Sequence, residues 1–506
     1  MQSMTIFDTA RPAVFVRAAI AAVVVILAIE CSGQQPQSNH RRPTKPTAAA
    51  FDVLLRGPIH EGFAQPAVLD AAEPLQVPKQ PPPALREFPP AIRPAANQTV
   101  WLPGYWGWDE EQDDFVWVSG VWRVPPPGMR WIPGYWSARD DKFAWTPGFW
   151  FATEATRLQY SFNPPAHPKP ETEQPAAAPN QFYVPGYWAA AGDKYIWRRG
   201  HWAKFHEGWV WMPTRYAATP AGSVLLRGYW DYPLARRGVL FAPVSPAKGS
   251  EQPGTFTPEV TLDARRLSEI LFTWTAYGHY CFGDYFGDRS TKRKIRAWFA
   301  VPSDPLFAYE NWVRSRVRAG WRESLVNRYR RLQKNADLRP LRRLGDATTP
   351  NAPLGRELAV PLDQLFRASD SPLPLTALSY EARSSAAQAA GSIALLATAR
   401  AKFEVAALDE PAAGRPMAMA LPMPLVQAPA KSNVPRVGTT GEYIPGVQSR
   451  EVPGFGRRTL PGMAGRNMPG VDTTAPGVVG PGVSPGADTR TLPGAKLTKP
   501  QVPQRP

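Results

Sequence analysis

A pattern close to aromatic-x-x-Gly-aromatic-Trp recurs eight times between residues 101 and 230, and no other feature limits the fold as much. The first group reads Trp101-Leu-Pro-Gly104-Tyr-Trp106, Trp117-Val-Ser-Gly120-Val-Trp122, Trp131-Ile-Pro-Gly134-Tyr-Trp136 and Trp145-Thr-Pro-Gly148-Phe-Trp150. The second reads Tyr183-Val-Pro-Gly186-Tyr-Trp188, Trp197-Arg-Arg-Gly200-His-Trp202, the degenerate Trp211-Met-Pro-Thr214-Arg-Tyr216, and Leu225-Leu-Arg-Gly228-Tyr-Trp230. After one interval of 16, the closing aromatics of each group step by 14. A fixed period marks an architecture in which one small unit packs on copies of itself.

Turn-forming clusters fall midway between the motifs, at 109–114, 125–128, 139–142, 192–194, 206–208 and 219–222. With aromatic and β-branched runs between them, this predicts one short strand per motif in an antiparallel meander. Two Trp five residues apart face opposite sides of a regular strand. A bulge at x-Gly would bring both to one face, with the glycine at positive φ. It would also tolerate Pro103, Pro133, Pro147 and Pro185, which lack an N–H. A type II turn at Pro-Gly is the competing reading. Ser119, Arg199 and Arg227 supply no proline and Thr214 no glycine, so the bulge is favoured. On that reading Gly134→Val is costly, Gly148 sits likewise, and Thr214→Gly is neutral or stabilising.

The array resembles the bacterial WXXGXW (YXWGXW) repeat family. Segments 54–64 and 277–286 look like flanks of its longer members. The resemblance implies an exported protein of unassigned activity, with no catalytic residue to carry over. Thr214 in place of the motif glycine and Leu225 in place of the leading Trp depart from the pattern.

Fifteen of the 19 Trp lie between 101 and 230, whereas the 59 Pro and 39 Gly crowd the ends, so the middle is the part expected to fold. A net charge of +16 favours acidic partners without bearing on the fold. Only Cys31 and Cys281 are present, which excludes a disulfide framework and a Cys-rich zinc site.

Arg11 and Arg17 precede an apolar run at 18–29, the length of a secretory h-region and short of a membrane span. This predicts a signal peptide over 1–33. Cleavage near Gly33, lipid attachment at Cys31 and an uncleaved anchor are the alternatives. Glu30 stands where a lipoprotein site wants a small residue. Residues 34–96 hold thirteen prolines and read as a disordered linker. The repeat groups occupy 97–152 and 181–235, with a Pro-rich linker at 153–180.

A basic aromatic segment of mixed α/β character follows at 236–345. It has strands at 238–243 and 257–262, a strand or short helix at 264–272, and a basic run at 292–296. A helix from Trp321 places Trp321, Leu325, Tyr329 and Leu332 on one face. That helix either packs on the array with its charges solvated, the favoured reading, or touches a membrane or polyanion. A linker at 346–380 leads to an Ala-rich helix at 381–409, where Ile393, Leu396 and Phe403 have helical spacing. A lone helix is marginal, so it must dock. The tail, 410–506, carries Pro-Gly every eight residues from 445 to 469 and reads as disordered. The fold class is thus mainly β, with disordered Pro/Gly-rich flanks.

The six histidines lack ligand spacing, His201 and His206 included. His60-Glu61 has no second His four residues on and reads as a local turn. The acidic cluster at 109–114 reads as a solvated turn rather than a calcium loop. No Gly-rich loop opens a strand–helix unit. No cofactor, metal or enzymatic activity is therefore expected. Regularly spaced aromatics can stack on sugars or form a core. At ~25 cal/mol per Å² over ~150–250 Å², each buried ring contributes about 4–6 kcal/mol. The array has few Leu and Ile, so most Trp are expected to be core. The functional expectation is a non-enzymatic exported scaffold of the cell envelope or surface. The alternative is a module gripping cell-wall polysaccharide or another polyanion. Expected partners are wall polysaccharide or envelope proteins, with no specific nucleic acid. Membrane contact is expected only through an N-terminal anchor or lipid.

Overall fold

In the computed structural model, which describes residues 51–69, 74–168, 178–192, 194–247, 255–302, 304–346, 357–369, 371–409, 417–424 and 434–435, each motif is one arm of a β-hairpin. The first hairpin runs Val100–Leu102, Tyr105–Asp109, then back through Asp114–Val118 and Val121–Arg123. The second runs Met129–Ile132, Tyr135–Arg139, Lys142–Thr146 and Phe149–Ala152. The third is Gln181–Val184, Tyr187–Ala191, Lys194–Arg198 and His201–Lys204. The fourth is Val210–Met212, Arg215–Thr219, Gly222–Leu226 and Tyr229–Asp231. Turns close at the expected midpoints. Asp113 and Asp140 there take φ of 49° and 54°, a left-handed conformation that Asp tolerates.

The fold is mainly β and antiparallel. The bulge is corrected. Every arm breaks at x-Gly, and both arms break at the same level. Leu102 pairs with Val121, and past the break Tyr105 pairs with Val118, three residues forward in one arm and three back in the other. No residue is inserted, so the register passes through unchanged. None of the seven motif glycines has positive φ, which also removes the type II turn. The ordinary pleat alternation therefore survives in the first hairpin, where a shared face was expected. Trp101 and Trp122 pack with Val239 and Phe241, while Trp106 and Trp117 enter the main core.

Successive hairpins do not pair with one another; strands from elsewhere extend them. Val244–Pro246 and Phe51–Val53 continue one half of the first hairpin. Gly238–Phe241, Val260–Leu262 and Ala359–Pro361 continue its other half. Leu75–Val77 joins the second hairpin, and Arg157–Ser161 with Met417–Ala420 joins the fourth. Among the described residues the third receives no added strand.

The linker readings are corrected wherever the structure describes them. Residues 51–69 and 74–96 pack on the core, with Leu54, Leu55, Ile59 and Phe63 buried. Phe51–Val53, Gly57–Pro58, Leu75–Val77 and Ile92–Pro94 all lie at sheet edges or in two-stranded pairs, where proline is tolerated. The 153–180 stretch contributes the strand Arg157–Ser161. The 346–380 stretch contributes Ala359–Pro361, the helix Leu362–Arg367 and Leu375–Ala377. Within the expected disordered tail, Met417–Ala420 pairs along Arg157–Ser161. The expected signal peptide at 1–33, residues 34–50 and most of the tail lie outside the described residues.

Residues 264–272 hold both alternatives, a helix Ala264–Leu267 and the start of the strand Leu271–Trp274. The helix Trp321–Lys334 buries Leu325, Tyr329 and Leu332, the face its spacing predicts. The helix Pro305–Val317 was not anticipated. Its start is marked by Pro305 at the first turn and by Asp304, whose side chain accepts from the Phe307 N–H. The Ala-rich helix spans Tyr380–Asp409 and does dock. Its small Ala386 and Ala390 lie against Trp101 and Trp122, and Leu396 and Phe403 against Ile132, Phe149 and Leu158.

Candidate functional site: the glycine breaks and the third hairpin

Across each break, the leading aromatic of one arm covers the glycine of the other. A Cβ on Gly120 would lie 2.4 Å from Trp101 Cζ2, and one on Gly148 2.4 Å from Trp131 Cζ2. One on Gly134 would lie 2.5 Å from Trp145 Cζ2, and one on Gly228 2.3 Å from Trp211 Cζ2. The glycine is thus required for close approach, not for its dihedral freedom. Each leading ring also meets the closing Trp opposite, as in Trp101–Trp122 at 5.2 Å and Trp106–Trp117 at 5.3 Å, both edge-to-face. Trp131–Trp150, Trp136–Trp145, Tyr183–Trp202, Trp188–Trp197 and Trp211–Trp230 repeat the pairing. Tyr216 faces Leu225, so that position lacks it.

A break removes ladder partners from backbone groups that are buried, and these need new ones. In the first hairpin Glu87 accepts from Gly104 N–H at 2.8 Å, Gly120 N–H at 2.9 Å and Trp117 Nε1–H at 3.3 Å. In the second, Glu61 accepts from Gly148 N–H at 2.8 Å and Trp145 Nε1–H at 2.9 Å, and lies 3.0 Å from His279 Nε2. Arg400 Nη1 donates to the Pro133 and Pro147 carbonyls, 2.9 Å each. Glu404 holds that guanidinium at 2.7 Å and accepts from Tyr135 and Tyr160 hydroxyls. His60 Nε2 meets the Pro103 carbonyl at 3.1 Å, and His167 Nε2 the Gly186 carbonyl at 3.0 Å. In the fourth hairpin Thr214 Oγ1 accepts from Gly228 N–H at 2.9 Å. The residue read as a defect carries its own acceptor into the break.

The two carboxyls are shifted in opposite directions. Burial pushes Glu87 up to about 7 against the pull of its three donors. Burial also raises Glu61, but His279, with the Trp145 indole and the Gly148 amide, brings it below the ordinary value. Burial lowers His60 to about 4, so it is neutral near pH 7, with Nδ1 accepting from Gly62 N–H. Glu61, His60, His279 and Tyr105 together resemble an acid–base constellation. The space beside Tyr105 is about 20 Å³, room for a water, whereas His279 and Trp145 also line a cavity of about 250 Å³ together with Arg215. Its bonds to Gly148 and Trp145 give the cluster a structural role at the break. The reading of 60–61 as a local turn is therefore incomplete. The solvated turn at 109–114 is corrected in part: Gln112, Asp113 and Asp114 are exposed, but Asp109 and Glu110 are buried against Arg56.

The motif aromatics divide into two sets. Trp101, Trp106, Trp117, Trp122, Trp131, Trp145, Trp150, Trp211 and Trp230 are buried. Tyr183, Trp188, Trp197 and Trp202 of the unextended third hairpin are half-buried, as is Trp136. Next to Trp188 and Trp197, Lys194, Arg198 and Arg199 are exposed. On the far side of this hairpin, Phe182, Trp202, Phe205, Trp209, Trp211 and Trp312 line a groove of about 330 Å³. The polar partners of the breaks escaped the sequence reading, because Glu61, Glu87, His167 and Arg400 lie outside every motif they serve. Thr214 alone carried a signal, a hydrogen-bonding side chain where glycine was due.

The family model for the WXXGXW repeat, in two copies, matches residues 100–123, 127–150 and 192–213. The first two matches coincide with the first two hairpins. The third runs from the turn of the third hairpin into the first arm of the fourth. No curated protein and no solved structure matches the chain.

Proposed function

We propose that this carrier of WXXGXW repeats is a non-enzymatic scaffold of the bacterial cell envelope or surface, exported through its N-terminal apolar segment. The supporting observation is the use to which the motif indoles are put. Nine of them are buried as core and as cross-strand pairs, so the repeat builds the molecule rather than lining a site. The compartment rests on the basic flank and apolar run at 18–29.

A second reading has its own observation, the half-buried Trp188 and Trp197 beside exposed Lys194, Arg198 and Arg199. Flat aromatics next to cations suit an acidic wall polysaccharide. Co-sedimentation of the full chain with insoluble wall material separates the two. A scaffold stays in the supernatant, whereas a binding module pellets and is released by Trp197→Ala with Arg198→Ala. Mass spectrometry of the exported protein should find its first residue near 32–34, or a diacylglycerol on Cys31. An intact Met1 in that fraction refutes cleavage near 32–34 and leaves the uncleaved anchor.

A further inference from the structure

The groove beside the third hairpin runs into the apolar cluster of Phe182, Val184, Ala203, Trp211 and Trp230, of which Phe182 and Trp211 line both. Phe205 stacks on Trp312 at 4.8 Å and 11°, joining the groove to the helix Pro305–Val317. Among the described residues packed on this cluster, Val434 alone comes from outside the third and fourth hairpins and their connection. It belongs to a described dipeptide, Val434-Pro435, and both residues are half-buried. Neither lies in a helix or strand, so side-chain contact rather than ladder bonding holds the pair there.

We propose that this aromatic surface is a seat for an aliphatic-proline step of the chain's own C-terminal tail, with Val434-Pro435 as its occupant. Proline suits such a surface. Its φ is preset, so an extended Pro-containing segment loses little entropy on docking, and Pro-rich segments dock in aromatic-lined grooves. Thirteen residues lie between Ala420, the end of the last described strand, and Val434, a stretch that can reach about 45 Å when extended. The tail also repeats the same chemistry at Ile444-Pro445, Val452-Pro453, Leu460-Pro461 and Met468-Pro469, each followed by Gly. Val434-Pro435 differs in being followed by Arg436. The seat is separate from the Trp188–Trp197 face and does not depend on whether the chain binds wall material.

The test uses the full chain with a photo-crosslinking benzoylphenylalanine at position 434, in a mixture of isotopically labelled and unlabelled copies. The expected product is an intramolecular crosslink to peptides within 182–230. In a second variant, Val434→Asp, hydrogen exchange should rise several-fold at 205–212 and stay unchanged at 100–123, which shows that the fold is intact. Crosslinks spread over the surface, or absent from 182–230, overturn the proposal. So do crosslinks joining labelled to unlabelled chains, which would assign the seat to a second copy's tail. Equal yield from a probe at 444 or 452 would remove Val434-Pro435 as the specific occupant. Unaltered exchange at 205–212 in Val434→Asp would do the same.

Discussion

Glu61→Gln and Glu87→Gln are the same chemical change at equivalent breaks, and the structure expects unequal outcomes. Glu61 faces three nitrogens, Gly148 N, Trp145 Nε1 and His279 Nε2, at 2.8, 2.9 and 3.0 Å. A carboxylate accepts from all of them. An amide has one oxygen and one NH₂, so at least one N–H must face another N–H. A charge-assisted bond contributes about 1.5–3 kcal/mol, and stranding a buried donor costs about 1–3 kcal/mol, so Glu61→Gln should lose about 2–4 kcal/mol. Over roughly 340 described residues at about 2 cal/mol/K each, 3 kcal/mol lowers Tm by about 4 °C.

Glu87 also faces three N–H donors, but it is raised to about 7, so at pH 6 it is mostly the neutral acid, whose O–H already faces one of them as an amide N–H would. Glu87→Gln at pH 6 should cost about 1 kcal/mol or less. A carboxyl whose folded pKa lies above its unfolded value stabilises the fold fully below pH 4.5 and loses that contribution as pH rises through 7. The gap from 4.5 to about 7 corresponds to roughly 3 kcal/mol. The parent should therefore lose stability relative to Glu87→Gln between pH 5 and 8. Thermal unfolding at pH 5, 6 and 8, with hydrogen exchange at the Gly148 amide, reads both effects. Equal melting of Glu61→Gln and the parent at pH 6, or an equal fall in both variants, would refute the reasoning.

Gly134→Ala puts a methyl 2.5 Å from Trp145 Cζ2, 2.7 Å from Thr146 O and 2.8 Å from Gly148 N. Backbone neighbours cannot swing aside, so it should destabilise by about 1–3 kcal/mol in denaturant unfolding; parent-like melting would exclude the close-approach role. Thr214→Val should cost about 1–2 kcal/mol and speed exchange at the Gly228 amide, whereas Thr214→Ser keeps the acceptor and should not. Thr214→Gly is now expected to destabilise, and a stabilised variant would show the hydroxyl to be idle. Arg400→Met strands two carbonyls and Glu404, for about 3–5 kcal/mol by calorimetry. His60 is held at about 4, so its contribution is complete above pH 6.5 and lost as pH falls through 4. His60→Asn should flatten that acid limb in a pH series of melts, and an unchanged limb assigns it to other groups.

The position of every arm and turn was readable because the 14-residue step and the polar midpoints are local signals. The role of the glycine was not, because its constraint is a ring on the opposite arm. Nothing within Trp131–Trp136 shows that Trp145 will lie on Gly134. Residues 51–96 were misread for a related reason. Proline content describes a segment's own preferences, whereas Glu61 and Glu87 are held by backbone groups far along the chain. Arg157–Ser161 is different, since its alternation was legible and was overlooked. Leu158 and Tyr160 point inward while Arg157 and Gln159 are exposed.

The reciprocal covering of glycines has a consequence for descent. A solitary copy would leave its glycine bare and its leading ring without a bed, so such motifs should be gained and lost two at a time. The spacing agrees, with 30 residues from Trp101 to Trp131 and 28 from Tyr183 to Trp211. Parity, rather than number, is what this geometry hands down. A chain with an odd count must either donate its orphan to a second polypeptide or blunt it, as Thr214 shows a hydroxyl can do for half of one break.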